Sequence, residues 1–324
     1  MSGNISEKSR LTEPAGMGPR ILPVDAVRGF TQIAVCSGKP IGVPADVPGQ
    51  VPMVFDKLNR ELYVYSGAWI GMNQDFYLEV QKGRIPGHSI VHKFGRNTAV
   101  ANATWEGVHP LGGLFVFLSA ATTMRVKAGG NSADTAAGAG AQVVTLEGMD
   151  GLGARITEDL FLDGATASAA TSLTFLRTDR TYVADGRAGA YGGANIGTVV
   201  IEDAAGNNDM IEIEAGEGQS QYCAYSVPIG KKGYVMEIRV QADSQKPADF
   251  RVFTREGLLD AVTPFGATRV KMHFDGVIGQ EIEEGKSPLL VLPPLTDIWV
   301  EAQGSGAQTE VSADLEILLV DNDG

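Results

Sequence analysis

Across residues 310–320, Val311, Ala313, Leu315, Ile317 and Leu319 take every second position, with Ser312, Asp314 and Glu316 between them. Alternate residues turn to the same side only in an extended strand, so this spacing commits the segment to a sheet with one covered face. The period returns in residues 210–215, where Ile211 and Ile213 alternate with Glu212 and Glu214. It returns again in 269–274, where Val270, Met272 and Phe274 alternate with Lys271 and His273, and in 234–240, where Ile238 and Val240 flank Arg239. Helical spacing is nearly absent; only residues 25–30 and 256–262 suit a helical turn.

Short strand-like segments separated by turns fill the rest of the chain. They fall at 88–94, 114–118, 122–127, 142–147, 155–162, 172–176 and 198–202, then at 250–253, 287–291 and 297–302. Between 129 and 164 a glycine- and alanine-rich tract, too small to pack a core, leads into a β-hairpin. The Gly/Asp cluster 148–153 supplies the positive φ angles of its turn. The pattern predicts an all-β chain of antiparallel β-sandwich or jelly-roll-like domains. Residues 1–20 are polar and without hydrophobic period, and read as a flexible arm. Residues 21–82, cut by prolines at 23, 40, 44, 48 and 52, read as an extended β-hairpin module with a turn at 56–60. Residues 83–218 and 219–324 then form two β-sandwich domains.

A hydrophobic content of 44% is enough for a real core. Lys+Arg 26 against Asp+Glu 39 gives 26 − 39 = −13, which opposes binding to nucleic acid or an anionic membrane. The charge is uneven. Residues 1–100 carry 11 basic and 8 acidic side chains (+3), the remainder 15 and 31 (−16). Cys36 and Cys223 stand far apart outside any C-x-x-C or C-x-x-H pairing, so neither zinc nor dithiol chemistry is expected. No apolar run reaches the length of a membrane span, and residues 1–20 lack the apolar stretch of a signal peptide, which points to folding in the cytoplasm.

The candidate chemical motifs resolve to structural roles. Gly138-Ala-Gly140 precedes a strand instead of opening a helix, so it reads as a loop. His88 and His92 have helical metal-ligand spacing but lie in a strand, where four residues span about 13 Å. No serine lies in G-x-S-x-G. Glu212 with Glu214, and Glu281 with Glu283 and Glu284, read as solvated strand carboxylates, not a hydrolytic pair. Trp69, Trp105 and Trp299 read as core residues, with Trp299 also considered as a sugar-stacking platform. No catalytic residue, metal ligand or cofactor is assigned.

Several segments together resemble a family of tailed-bacteriophage virion structural proteins. They are His92-Lys-Phe-Gly-Arg-Asn97, Thr104-Trp-Glu-Gly107, Ser119-Ala-Ala-Thr-Thr123, Asp134-Thr-Ala-Ala-Gly-Ala-Gly-Ala-Gln142 and Val144-Thr-Leu-Glu-Gly-Met-Asp150. Glu158-Asp-Leu-Phe-Leu-Asp-Gly164, Asn195-Ile-Gly197 and Tyr225-Ser-Val-Pro-Ile-Gly-Lys-Lys-Gly-Tyr234 continue the likeness, which covers residues 88–320. The stretch 51–69 is similar to short hairpin modules near the N-termini of phage fibre and decoration proteins. The resemblance implies a β-rich, oligomeric, non-catalytic subunit of the particle, a trimer foremost. A capsid decoration or cement role on the major capsid protein comes first, with a neck, collar or tail position, or a glycan-binding module, as alternatives. Arg10 and Arg20 of the arm, Arg28 just beyond it, and Tyr63, Tyr65 and Trp69 of the module are the candidate interaction residues. The module has too few elements to cover those rings alone, so a neighbouring subunit or the other domains should cover them.

Overall fold

The computed structural model describes residues 33–45, 51–72, 76–184, 194–260, 267–284, 288–306 and 308–322. Two compact units divide the chain, Met1–His88 and Ser89–Gly324. The arm 1–20, its Arg10 and Arg20, and Arg28 with the candidate turn 25–30 lie outside the described residues.

In the first unit, β1 (Ala34–Cys36), β2 (Met53–Asp56), β3 (Glu61–Tyr65) and β4 (Trp69–Gly71) form one sheet in chain order, followed by α1 (Phe76–Gln81). β1 runs parallel to β2 and the other pairs are antiparallel. The turn after β2 is built by Asp56, whose Oδ1 accepts the N–H groups of Gly38 at 2.7 Å and Leu58 at 2.9 Å. Burial alone would raise its carboxyl, but the Asn59 side chain and these backbone donors hold it below the usual range. One correction follows for the aromatic residues. Tyr63 and Trp69 are buried in the unit's own cluster with Ala34 and Val54, and Tyr65 packs against it. Three short strands and β1 suffice because two rings fill most of so small a core: Trp69 meets Tyr65 edge-on at 5.3 Å and donates its Nε1–H to the Gly42 carbonyl at 2.8 Å.

The second unit is built of layered antiparallel sheets. The outer sheet has the order β17 (Gly279–Glu284), β14 (Lys231–Ala242), β20 (Thr309–Asp321), β5 (His88–Val100), with β18 (Leu290–Leu292) also on β14. The middle sheet has the order β13 (Ala224–Ser226), β19 (Asp297–Gly304), β15 (Ala248–Arg255), β16 (Arg269–Val277), with β6 (Glu106–Gly107) also on β19. Two three-stranded sheets complete it: β10 (Arg177–Val183), β8 (Val143–Met149), β9 (Arg155–Phe161), and β12 (Asp209–Ile213), β11 (Val199–Asp203), β7 (Met124–Val126).

The longest pairing, β14 with β20, runs from Lys231 opposite Asp321 to Ala242 opposite Val311. Along β20 the alternating residues Val311, Ala313, Leu315, Ile317 and Leu319 all enter the core between the outer and middle sheets. Each buried Val, Leu or Ile contributes roughly 1.5–3 kcal/mol, so one strand carries a large share of that core. The middle sheet is covered on both faces. Ile298, Val300 and Ala302 of β19 join the first core, while Trp299 between them joins a second core with Met124, Leu146, Ile201 and Ile211 from the small sheets. β5 and β6 thus complete the sheets whose other strands follow residue 219.

Strand content agrees with the all-β expectation, but individual segments differ. Residues 114–118 and 172–176 are not strands; their Phe115, Phe117 and Phe175 rings plug the second core from coil. β10 was not expected, because its inward side chains are polar: Arg177, Thr178, Asp179 and Thr181 are all buried. β13, β17 and α1 were also not expected, and the described part of 256–262 holds a 3-10 turn at Leu258–Asp260.

Candidate functional site

The chemistry-bearing side chains of the second unit gather where β10 meets the middle sheet. Asp297, at the start of β19, is completely buried. Arg177 of β10 grips it with two parallel bonds, Nε to Oδ1 and Nη2 to Oδ2, both 3.0 Å. Arg255 at the end of β15 donates to the same Oδ2, and Ser226 Oγ donates to Oδ1 at 2.6 Å. The remaining Arg177 nitrogen, Nη1, is taken by the Leu118 and Leu176 carbonyls, 2.8 Å each. Every hydrogen-bonding site of the aspartate and most of those of Arg177 are thereby used, which is what makes a buried ion pair tolerable.

Aromatic rings interleave with these cations. Arg177 and Arg255 lie 5.1 Å and 4.5 Å from the centre of the Phe117 ring. Trp299 stacks on Phe253 at 5.3 Å with 14° between planes, and Arg251 lies 3.5 Å from the Trp105 ring and 5.0 Å from Phe253. Glu301 closes this end, accepting Trp299 Nε1 at 2.9 Å and Arg251 Nη2 at 3.0 Å. The stack leaves Trp299 only 4% exposed, so its indole face is not offered to a sugar.

A second buried cluster involves β5 and β10. Lys93 donates to the Asp179 backbone carbonyl and Arg155 pairs with the Asp179 carboxylate. Burial pulls the Lys93 ammonium down to about 8, with Asp179 opposing the shift, and burial likewise raises the Tyr222, Cys223 and Tyr225 side chains above their ordinary values. The Cys223 thiol is therefore held protonated and unreactive.

The glycine-rich tract encloses a carboxylate. Asp134 Oδ1 accepts the N–H groups of Ala141 and Ile196, 2.9 Å each, and Oδ2 accepts that of Gly197 at 2.8 Å. A Cβ on Gly140 would lie 2.1 Å from Asp134 Oδ1, and one on Gly138 2.0 Å from the Ala133 carbonyl, so the tract owes its composition to close backbone approach. Asn195 serves the neighbouring loop, donating to the Gly197 and Glu214 carbonyls and accepting from Gly218. Asn97 donates to Glu106 and to the Gly107 carbonyl. Glu158 receives the N–H groups of Ser172 and Leu173 at 2.7 and 2.8 Å.

The other motifs stay apart. His88 and His92 lie on β5, with His92 beside Asp314 at 3.4 Å, and among the described residues no group of three or more His, Cys, Asp or Glu side chains is placed to hold a metal. Glu212 and Glu214 are half-buried at β12, where burial and then Glu214 raise the Glu212 carboxyl. A cavity of about 230 Å³ is lined by His109, Leu111, Leu114, Asn207, Asp209 and Met210. His109 is buried against Phe115 at 4.5 Å, neither ring nitrogen has a hydrogen-bond partner, and burial lowers it to about 4. Sequence reasoning missed Arg177, Arg255 and Asp297, which lie 42 to 120 residues apart and share no local motif. The one available signal was the density of polar residues in 177–181.

No protein-family profile matches the chain, and no curated protein does. Among solved structures, the chain is similar at 12% identity and a TM-score of 0.24 to a structure of infectious bursal virus derived T=1 particles, over 74% of this chain and 70% of that one. It is also similar at 9% identity and a TM-score of 0.22 to the infectious bursal disease virus Gt strain, over 76% and 78% of the two chains.

Proposed function

We propose that this chain is a virion structural protein, a decoration or cement subunit that binds the head lattice of a tailed bacteriophage and has no catalytic role. The observation that carries the reading is how the polar residues of the resembling segments are used. Asp134, Glu158 and Asn195 each bind backbone groups of loops in their own unit, Asn97 binds the backbone of β6, and Lys93 binds that of β10. In the resembling segments these side chains act as anchors for the backbone of their own unit, as suits a component of a shell. Layered sheets with a doubly covered middle sheet support the same role, since unfolding any layer exposes a core.

The partner proposed is the major capsid protein or a neighbouring virion protein, met by Arg10 and Arg20 of the arm and by Arg28 after it, with Tyr65 at the half-buried rim of the first unit's core. Each exposed basic contact contributes under about 1 kcal/mol, so attachment depends on many symmetry-related copies acting together. The test adds purified chain, with and without residues 1–20, to particles lacking it at low and high salt. Stoichiometric binding in hundreds of copies, weakened and made less salt-sensitive by the deletion, is expected. Binding in tens of copies would move the protein to the neck or tail, and no binding of the full chain would overturn the role.

A further inference from the structure

The first unit's sheet has two faces, and its own core uses one of them. Ala34, Val54, Tyr63 and Trp69 share the buried face. The register sets Val35 beside Phe55, Phe55 beside Leu62, Met53 beside Val64 and Val64 beside Ile70, so these six alternate residues share the opposite face. All six are apolar. None is buried and none packs against a core: Val35 is 43% exposed and Met53 37%, and the other four are half-buried. A sheet face of this composition ordinarily lies against another apolar layer.

The size of the face decides what that layer is. Four strands of three to five residues, at the usual strand spacing and rise, give a face roughly 14 Å by 15 Å, on the order of 200 Å². A stable dimer buries about 800 Å² on each partner, and association also loses several kcal/mol of translational and rotational freedom. A second copy therefore gains too little here. A segment already tethered beside the face loses only its own freedom, because linkage makes the docking step local.

The sequence supplies such a segment. Ile33, 37% exposed, leads directly into β1, the strand at the sheet's edge, so residues 21–32 are attached at the margin of the face. In 21–32, Ile21, Leu22, Val24, Ala26, Val27 and Phe30 are apolar, while Asp25 and Arg28 are the only charged residues and cancel. Residues 1–20 are polar by comparison and match water, not this face. Twelve residues reach about 40 Å when extended, well beyond the width of the sheet. We infer that residues 21–32 of the same chain cover this face, with their apolar side chains against Val35, Phe55, Leu62 and Val64. The inference does not depend on the proposed role on the head lattice.

The test uses the full chain at micromolar concentration. Val24→Asp, Val27→Asp and Phe30→Asp are combined in one variant, with Leu11→Asp as a control outside the segment. Oxidation of Met53 by hydrogen peroxide, followed by mass spectrometry, reads the cover directly. The triple variant should oxidise Met53 at least about fivefold faster than the parent chain, and the control at the parent rate. A benzophenone amino acid in place of Val64 gives a second reading that unfolding cannot mimic: on irradiation it should crosslink to residues 21–32 within one chain. Equal Met53 rates in the parent and the triple variant, crosslinks that join two chains, or crosslinks within one chain to another segment would overturn the inference.

Discussion

Asp297 is a carboxylate with two guanidinium groups and a hydroxyl around it and no water-facing surface. Removing it leaves the Arg177 guanidinium buried without the carboxylate it grips, so Asp297→Ala should cost about 3–5 kcal/mol. For a unit of this size that is a fall in Tm of about 10 °C or more, read by differential scanning calorimetry. Replacing Arg177, Asp297 and Arg255 together with apolar residues of similar volume should recover much of the loss. His109 allows a pH test. Its folded pKa of about 4 lies below the unfolded value of 6.5, so its neutral form stabilises the fold fully above pH 6.5, and that contribution disappears as pH falls towards 4. The full difference is about 3 kcal/mol. Urea melts at pH 7.5 and 4.5 should show a smaller acid loss in His109→Phe than in the parent chain, and equal losses would refute the assignment. Lys93 has the same sign at the other end: with the folded value near 8 and the ordinary one at 10.5, its contribution rises as pH is raised between them.

The hairpin β8–β9 shows how a strand is shaped by its neighbours. Its turn rests on Asp150, whose Oδ1 accepts the N–H groups of Leu152 at 2.8 Å and Ala154 at 2.9 Å, and on Gly153 at φ 86°. Within β8, Gly148 lies against β10 so closely that a Cβ would sit 2.1 Å from the Arg177 carbonyl and 2.8 Å from the Phe175 ring. Gly148→Ala must therefore displace the strand carrying Arg177, at a cost of about 1–3 kcal/mol. Gly151, in the turn, has only the Ala121 methyl at 3.3 Å, and its alanine variant should change stability by under about 0.5 kcal/mol. Chemical denaturation of the two variants compares them directly, and equal losses would show that β8 and β10 are less tightly apposed.

The two compact units bury separate cores, and each core is assembled from its own residues. A fragment beginning at residue 84, which keeps β5 whole, should retain the main thermal transition of the full chain within about 4 °C, the effect of roughly 1 kcal/mol. A larger loss would mean that the first unit supports the second. How far such an arrangement can be read from residues alone depends on which face a strand presents. β20 and β12 were legible because one side of each is apolar and the other charged, and that contrast is a local property of the chain. β10 was not, because a strand whose buried face is Arg177, Asp179 and Thr181 has no hydrophobic period; its partners Asp297, Lys93 and Arg155 come from distant segments. Residues 114–118 and 172–176 misled in the opposite sense, since apolar side chains in coil fill a core as well as those in a strand. The all-β class, the hairpin, the loop nature of the glycine tract and the charge asymmetry all follow from local steric and electrostatic preferences. Which sheets share a core, why the middle sheet is covered twice, where the ionic cluster closes and which edges stay open are properties of long-range pairing. No stretch of sequence carries them, because each depends on contacts between strands tens to more than a hundred residues apart.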